Sequence, residues 1–271
     1  MECFRSKFIF DHQICFYNDF EKYDFSNDLK VYEVIRVMNG KPLFLDDHLE
    51  RLHKSIKISH RITPLTEVEI YEKILKLIKC NRVKNGNIKI VFAFGKKEFH
   101  HILYFIPHYY PNAGDYKNGV KVGILEFTRN KPHAKVQNIN LVSQAKHLME
   151  SEKVFEVLLT DDRDFIYEGS RSNFFAISDG KVYTAPDSDV LLGVTRKKII
   201  ELCNKQNIEL IEKKIKVEDL HLFQSAFLTG TSPKVLPVSE IKGNKFEMEQ
   251  FTMRKIMKLY DEEIALYLKN H

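Results

Sequence analysis

The residue pattern points to a two-domain protein of mixed α/β (α+β) class, and three observations carry that reading. Strand-like and helix-like segments occur in both halves of the chain. A run of Pro, Gly, Asn and Asp without hydrophobic period, PHYYPNAGDYKNG (107–119), separates the halves. The 271 residues are enough for two cores of ordinary size. The expected organisation is a smaller N-terminal domain over 1–108, a linker over 109–118 and a larger C-terminal domain over 119–271.

In the first half, VYEVIRVM (31–38) alternates and is rich in β-branched residues, which predicts a strand. Asn39-Gly40 then supplies hairpin turn chemistry before a short strand, PLFL. Asp46 or Asp47 is expected to cap a helix whose inner face is Leu49, Leu52 and Ile56. A second helix is expected over about 66–80, with Val68, Ile74, Leu75 and Ile78 inward, followed by strands NIKIVFAF (87–94) and HILYFI (101–106). In the second half, GVKVGILEF, VFEVLLT, NFFAIS and KVYTA read as strands, the last two joined by an Asp179-Gly180 turn. Segments 138–152, 195–204 and 247–269 read as helices, and strands are expected near 207–213 and 225–229.

Composition narrows the function classes. Hydrophobic residues make up 44% and charged residues 29%, the profile of a soluble globular chain. The net charge of +5 is spread along the sequence, so no nucleic-acid-binding face is expected. No stretch has the length and apolarity of a signal peptide core or a membrane span. Cys3, Cys15, Cys80 and Cys203 are far apart without metal-type spacing, so reduced thiols, a cytoplasmic location and no metal site are expected.

Three short segments carry chemistry: EGSRSNFF (168–175), LGVTR (192–196) and TGTSPKVLPV (229–238). LGVTR leads into a helix, so the amides of Val194 and Thr195 fall at a helix N-terminus, where anions bind. TGTSP follows a strand and offers amides and hydroxyls around Gly230, Thr231 and Ser232. Two such turns in one domain point to a phosphate.

The order of these motifs resembles the class IV aminotransferases, the group that includes branched-chain and D-amino-acid aminotransferases and aminodeoxychorismate lyase. YEVIRVMNGKPLFLDDHLERLHKSI resembles that family's entry strand, hairpin and helix, and the likeness runs from about residue 30 to 240. It implies a two-domain fold-type IV enzyme, a homodimer, working with pyridoxal 5′-phosphate. Lys135, in PHAKVQN, stands 33 residues before Glu168. The resemblance implies about that separation between the lysine that carries the cofactor as a Schiff base and the glutamate of the EGS motif. The rival, Lys146, is 22 residues from Glu168 and falls inside a predicted helix.

The resemblance also implies the remaining roles. Glu168 pairs with the pyridine nitrogen, and Asn173 orders its loop. Arg51, Val194, Thr195, Gly230 and Thr231 hold the phosphate, while Tyr32 and Ser232 line the substrate side. A lysine so placed can shuttle the substrate α-proton once its amine is free. The implied reaction moves an amino group between an amino acid and a 2-oxo acid. The alternative is a lyase of the 4-amino-4-deoxychorismate type that releases pyruvate, and a non-catalytic phosphate- or nucleotide-binding protein is a third reading. FSNDLK (25–30) and GKKEFHH depart from the family's usual GDG-like turn and Arg-Gly pair. Two readings stand for Lys96, Lys97 and His100: an ordinary charged loop, or a replacement for an arginine that binds a second carboxylate. Finally, the aromatic run HHILYFIPHYY is a candidate for the subunit contact.

Overall fold

The computed structural model describes residues 2–271 except 24, 26, 27, 64, 97, 130 and 131. It divides into two compact units. The first comprises residues 1–109, the segment Ala134–Gln137 and the last six residues; the second comprises 110–133 and 138–265. The expected division at 108 thus falls one residue later, but two later segments belong with the first unit. The expected linker is also partly ordered: Asn112 and Asp115 form a reciprocal cap on a helix over Ala113–Asn118.

The first unit opens with a hairpin, β1 (Lys7–Phe10) and β2 (Gln13–Phe16), which sequence patterning did not reveal. Then come β3 (Leu29–Met38), β4 (Lys41–Pro42), α1 (Leu45–Ile58), α2 (Glu67–Asn81), β5 (Gly86–Phe94) and β6 (Phe99–Ile106). The strands form one sheet in the order β2-β1-β6-β5-β3-β4. Asn39 and Gly40 both have positive φ, as a tight hairpin turn requires. Val31, Ile35 and Val37 alternate onto the face that packs with Leu49, Leu52 and Ile56 of α1. HHILYFI lies in β6, an interior strand between β1 and β5 whose residues 101–105 are buried in the sheet, whereas Tyr109 later in the same run is exposed.

Two helix expectations need correction. α1 has no aspartate cap: Phe44 occupies its N-cap in the left-handed region, Asp46 and Asp47 lie within the first turn, and the Tyr267 hydroxyl accepts from the Leu45 amide. In α2 the inward residues are Ile70, Ile74, Leu77 and Ile78, whereas Val68 and Leu75 are exposed. The capping box of Thr66 and Glu69 sets where α2 starts, and the sheet selects which stripe of its many apolar side chains is buried.

The second unit contains α3 (Ala113–Asn118), β7 (Val120–Glu126), α4 (Ile139–Glu152), β8 (Glu156–Thr160), β9 (Phe165–Gly169), β10 (Asn173–Ser178), β11 (Lys181–Thr184) and α5 (Val194–Lys205). It continues with β12 (Leu210–Glu212), β13 (Ile215–Lys216), β14 (Ser225–Gly230), β15 (Lys234–Ile241), β16 (Asn244–Lys245) and α6 (Phe251–Asn270), whose last turn belongs to the first unit. The sheet runs β12-β11-β10-β14-β15-β7-β8-β9-β13, and an additional β9–β10 pairing closes six of these strands into a ring. That closing pair is Glu168 with Asn173, so two motif residues sit at the seam. Closure leaves neither of these strands with a bare edge.

Candidate active site

Lys135 is positioned by backbone pairing. The edge of β3 that faces away from β5 is covered near Val37 by β4 and near Val31 by the segment 134–137, through a bridge between Val31 and Val136. The Tyr32 amide donates to the Lys135 carbonyl at 3.0 Å, and the Gln137 amide donates to the Lys30 carbonyl at 3.0 Å. The Lys135 amide in turn donates to the hydroxyl of Ser55, a fully buried residue of α1, at 3.1 Å. The lysine is thereby tied to both a strand and a helix. Its Nζ stands 4.9 Å from the centre of the Tyr32 ring. Lys146, by contrast, is a solvated residue of α4, 72% exposed and 3.8 Å from Glu150.

A second cation shares that aromatic ring. Lys89 Nζ lies 4.8 Å from the Tyr32 ring centre, and Lys89 is the cross-strand partner of Val34. Burial pulls its ammonium below the usual lysine range, and the nearby charges of Lys135 and Lys30 add to this against an opposing effect of Tyr32. Of the loop residues expected to bind a second carboxylate, Lys97 lies outside the described residues. His100 faces Asp11 and Glu98, with Nδ1 2.9 Å from Asp11 and Nε2 3.2 Å from Glu98. A substrate carboxylate there would compete with two carboxylates already present.

On the helix-facing side of β3 lies a buried polar group among apolar neighbours. Glu33 is 0% exposed and accepts from Arg51 Nε at 2.9 Å and Nη2 at 2.6 Å. His48 Nδ1 stands 3.2 Å from the same carboxylate. Burial alone would raise the Glu33 carboxyl, but Arg51 and His48 outweigh it and hold it well below the usual carboxylate range. Burial depresses His48, opposed by Glu33. Arg51 is thus a mostly covered, oriented guanidinium rather than a solvent-facing helix residue, and its partner Glu33 is one that motif reading missed. The signal was available: Glu33 occupies an inward position in the alternation of Val31, Ile35 and Val37, where a charge demands a partner.

In the second unit Glu168 is nearly buried. Its Oε2 accepts from the Asn173 side-chain nitrogen at 3.2 Å and from the Leu191 backbone amide at 3.1 Å, while its Oε1 lies 3.1 Å from Arg129 Nε. Asn173 also donates to the Leu191 carbonyl at 2.9 Å. Arg129, whose Nη2 donates to the Ser170 carbonyl, supplies a charge partner that no motif announced. Gly193 caps α5, and a Cβ there would stand 2.1 Å from Asn173 Oδ1, so the helix N-terminus with Val194 and Thr195 approaches Asn173 only because residue 193 is glycine. Thr195 is buried and its hydroxyl accepts from Tyr260 at 3.3 Å. Gly230 ends β14, and Thr231 and Ser232 form the turn that follows.

These residues fit a phosphorylated ring cofactor. Thr229 pairs across the sheet with Asn173, and its Oγ1 is buried without a hydrogen-bond partner, a group that costs free energy until an acceptor or donor meets it. The backbone amides at the start of a 12-residue helix and a glycine turn suit a dianion. Among the described residues no group of three or more His, Cys, Asp or Glu is arranged to hold a metal.

The first unit thus carries a lysine pinned by backbone pairing, and the second carries a buried glutamate near a helix N-terminus. Residues 30–241 match the family described as amino-transferase class IV, and the chain belongs to that family. Its members are enzymes that work with pyridoxal 5′-phosphate. The chain is 27% identical over 226 residues to the D-alanine aminotransferase of Bacillus licheniformis, covering 79% of each chain. It is 26% identical over 237 residues to the branched-chain-amino-acid aminotransferase of Pseudomonas aeruginosa, covering 79% of this chain and 76% of that one. The fold matches the crystal structure of the branched-chain aminotransferase from the archaeon Thermoproteus uzoniensis with norvaline at a TM-score of 0.84, with 24% identity over 96% of this chain and 95% of that one.

Proposed function

We propose that this aminotransferase moves an amino group between an amino acid and a 2-oxo acid, with Lys135 as the residue that holds the cofactor and moves the substrate's α-proton. The observation that carries this reading is the setting of Lys135, whose backbone is tied to β3 and Ser55 while its amine faces Tyr32 and shares that ring with Lys89. Pyridoxal 5′-phosphate, when bound, supplies an aldehyde for the amine and a ring that withdraws electrons from the substrate carbon.

The chain's own residues do the rest. Glu168, oriented by Asn173 and the Leu191 amide, holds a proton at the pyridine nitrogen. The resemblance assigns phosphate-holding roles to Arg51 in the first unit and, in the second, to the amides of Val194, Thr195, Gly230 and Thr231 and the Thr195 hydroxyl. The Lys135 amine, once free, would take the proton from the substrate's α-carbon and deliver it to the carbon that carried the cofactor's aldehyde. Lys89 attracts the substrate carboxylate. The substrate-side roles implied by the resemblance fall to Tyr32 in the first unit and Ser232 in the second. The relatives' names support amino-acid substrates of the branched-chain or D-alanine kind.

A homodimer is supported by apolar side chains left in solvent: Phe16 and Tyr17 at the β2 edge, and Ile139 and Val142 on α4. No helix among the described residues is long and apolar enough to cross a membrane, and all four cysteines are free thiols; the thiols support a cytoplasmic location.

The visible spectrum of the purified protein tests the reading. An absorption band of bound cofactor is expected that Lys135→Ala abolishes and Lys146→Ala leaves intact; the reverse pattern would move the role to Lys146. Amino acids that bleach the band identify donors. Release of pyruvate without a 2-oxo acid acceptor would replace transfer by elimination.

A further inference from the structure

Glu156, the first residue of β8, is a carboxylate with 2% exposure and no part in the chemistry described so far. Its two oxygens are the centre around which the turn from β9 to β10 is wrapped. Oε1 accepts from the Ser170 hydroxyl at 2.6 Å and from the Val157 amide at 3.0 Å. Oε2 accepts from the Ser172 hydroxyl and the Arg171 amide, both at 3.3 Å, with Arg171 Nε at 3.8 Å. Three consecutive residues of the EGSRSN turn therefore point donors at one buried anion.

The turn can close that tightly only because of Gly169. A Cβ there would stand 2.1 Å from Ser172 Oγ and 3.3 Å from Glu156 Cγ. The Gly169 amide donates to the Ser172 carbonyl at 2.7 Å, and the Ser170 amide donates to the Val157 carbonyl at 2.9 Å. Immediately outside this turn stand Glu168 and Asn173, paired with each other at the seam of the ring. A buried carboxylate with several hydrogen-bond donors and a guanidinium around it is costly to assemble and is retained only where its partners are fully satisfied.

We propose that Glu156 is a positioning residue for Glu168: it templates the Gly169–Ser172 turn, and the turn sets the direction and register of the carboxylate that meets the pyridine nitrogen. This rests on the proposed role of Glu168. A neutral amide at position 156 keeps the size of the side chain but puts an NH2 where Ser172 and Arg171 also donate. The turn then relaxes and Glu168 loses its aim, while the strands that flank it keep their pairing.

The test titrates apo-protein with pyridoxal 5′-phosphate in Glu168→Gln, Glu156→Gln and the double variant, reading the dissociation constant and the pH midpoint of the bound cofactor's visible band. Glu168→Gln is expected to weaken binding and move the midpoint. Glu156→Gln is expected to move the midpoint in the same direction and weaken binding by roughly threefold to tenfold, a fraction of one charged hydrogen bond because Glu156 acts through Glu168. The double variant should bind no more weakly than Glu168→Gln alone, because the first residue acts through the second. Losses that add in the double variant, or a Glu156→Gln protein identical to wild type, overturn the proposal while leaving Glu168 in its role. A silent Glu168→Gln instead overturns the role of Glu168. Should Glu156→Gln not fold, Ser170→Ala and Ser172→Ala each remove one donor and are held to the same pattern.

Discussion

A carboxylate with no exposed surface, such as Glu33, costs several kcal/mol to desolvate and is tolerated only beside an oriented cation. Arg51 therefore has two jobs, neutralising Glu33 and, on the proposed reading, holding phosphate. Arg51→Met should cost up to about 3–5 kcal/mol of stability by leaving the buried Glu33 with only His48 and the Val34 amide beside it, and should weaken cofactor binding about tenfold or more. Adding Glu33→Gln should restore much of the stability, seen in chemical denaturation, without restoring the affinity, seen by cofactor titration. Wild-type affinity in the double variant would remove Arg51 from the phosphate site. His101 offers a pH test. It is 3% exposed, and burial pushes it down to about 4, from about 6.5 in an unfolded chain. A base with a lowered folded pKa contributes stability that is present above about 6.5 and lost as pH falls towards 4, up to about 3 kcal/mol. His101→Phe should flatten the fall in melting temperature across that window; an unchanged slope would mean other groups govern it.

The segment that matters most is the short stretch carrying Lys135, joined to β3 by a single bridge at Val136. It is held by backbone-centred hydrogen bonds rather than by propensity, so it is sensitive to its side-chain anchor. Ser55→Ala leaves the Lys135 amide without its acceptor in a part-buried position. The expected cost is about 1–3 kcal/mol, together with a slower reaction of Lys135 with added pyridoxal 5′-phosphate, followed by stopped-flow absorbance. Normal rates with lowered stability would show that Ser55 supports the helix alone. The same dependence on context explains a failure of pattern reading in α2: with apolar residues spread around much of the helix, periodicity cannot select the buried stripe until the sheet is in place.

At the scale of the whole molecule the two units agree with a two-domain fold, but the chain crosses between them more than once. The proposed homodimer is open to direct measurement. Light scattering at enzymatically active concentration should report about twice the 31.9 kDa of the chain, and Phe16→Lys with Val142→Lys should lower it. A monomer with full activity would remove the subunit contact from the proposal.

Part of the molecule was legible residue by residue. β3 and β5 announced themselves through β-branched alternation, and Asn39-Gly40 through its demand for positive φ. These depend on neighbours in sequence, through local sterics, side-chain period and the order of motifs. Other features depend on partners far along the chain and have no local signature. The pairing of Val136 with Val31, the Arg129 contact with Glu168 and the wrapping of Ser170–Ser172 around Glu156 join residues from 14 to 105 positions apart. Family and strands can thus be read along the chain. Which buried charge faces which cannot, because desolvation makes each such charge depend on a partner that folding alone brings near.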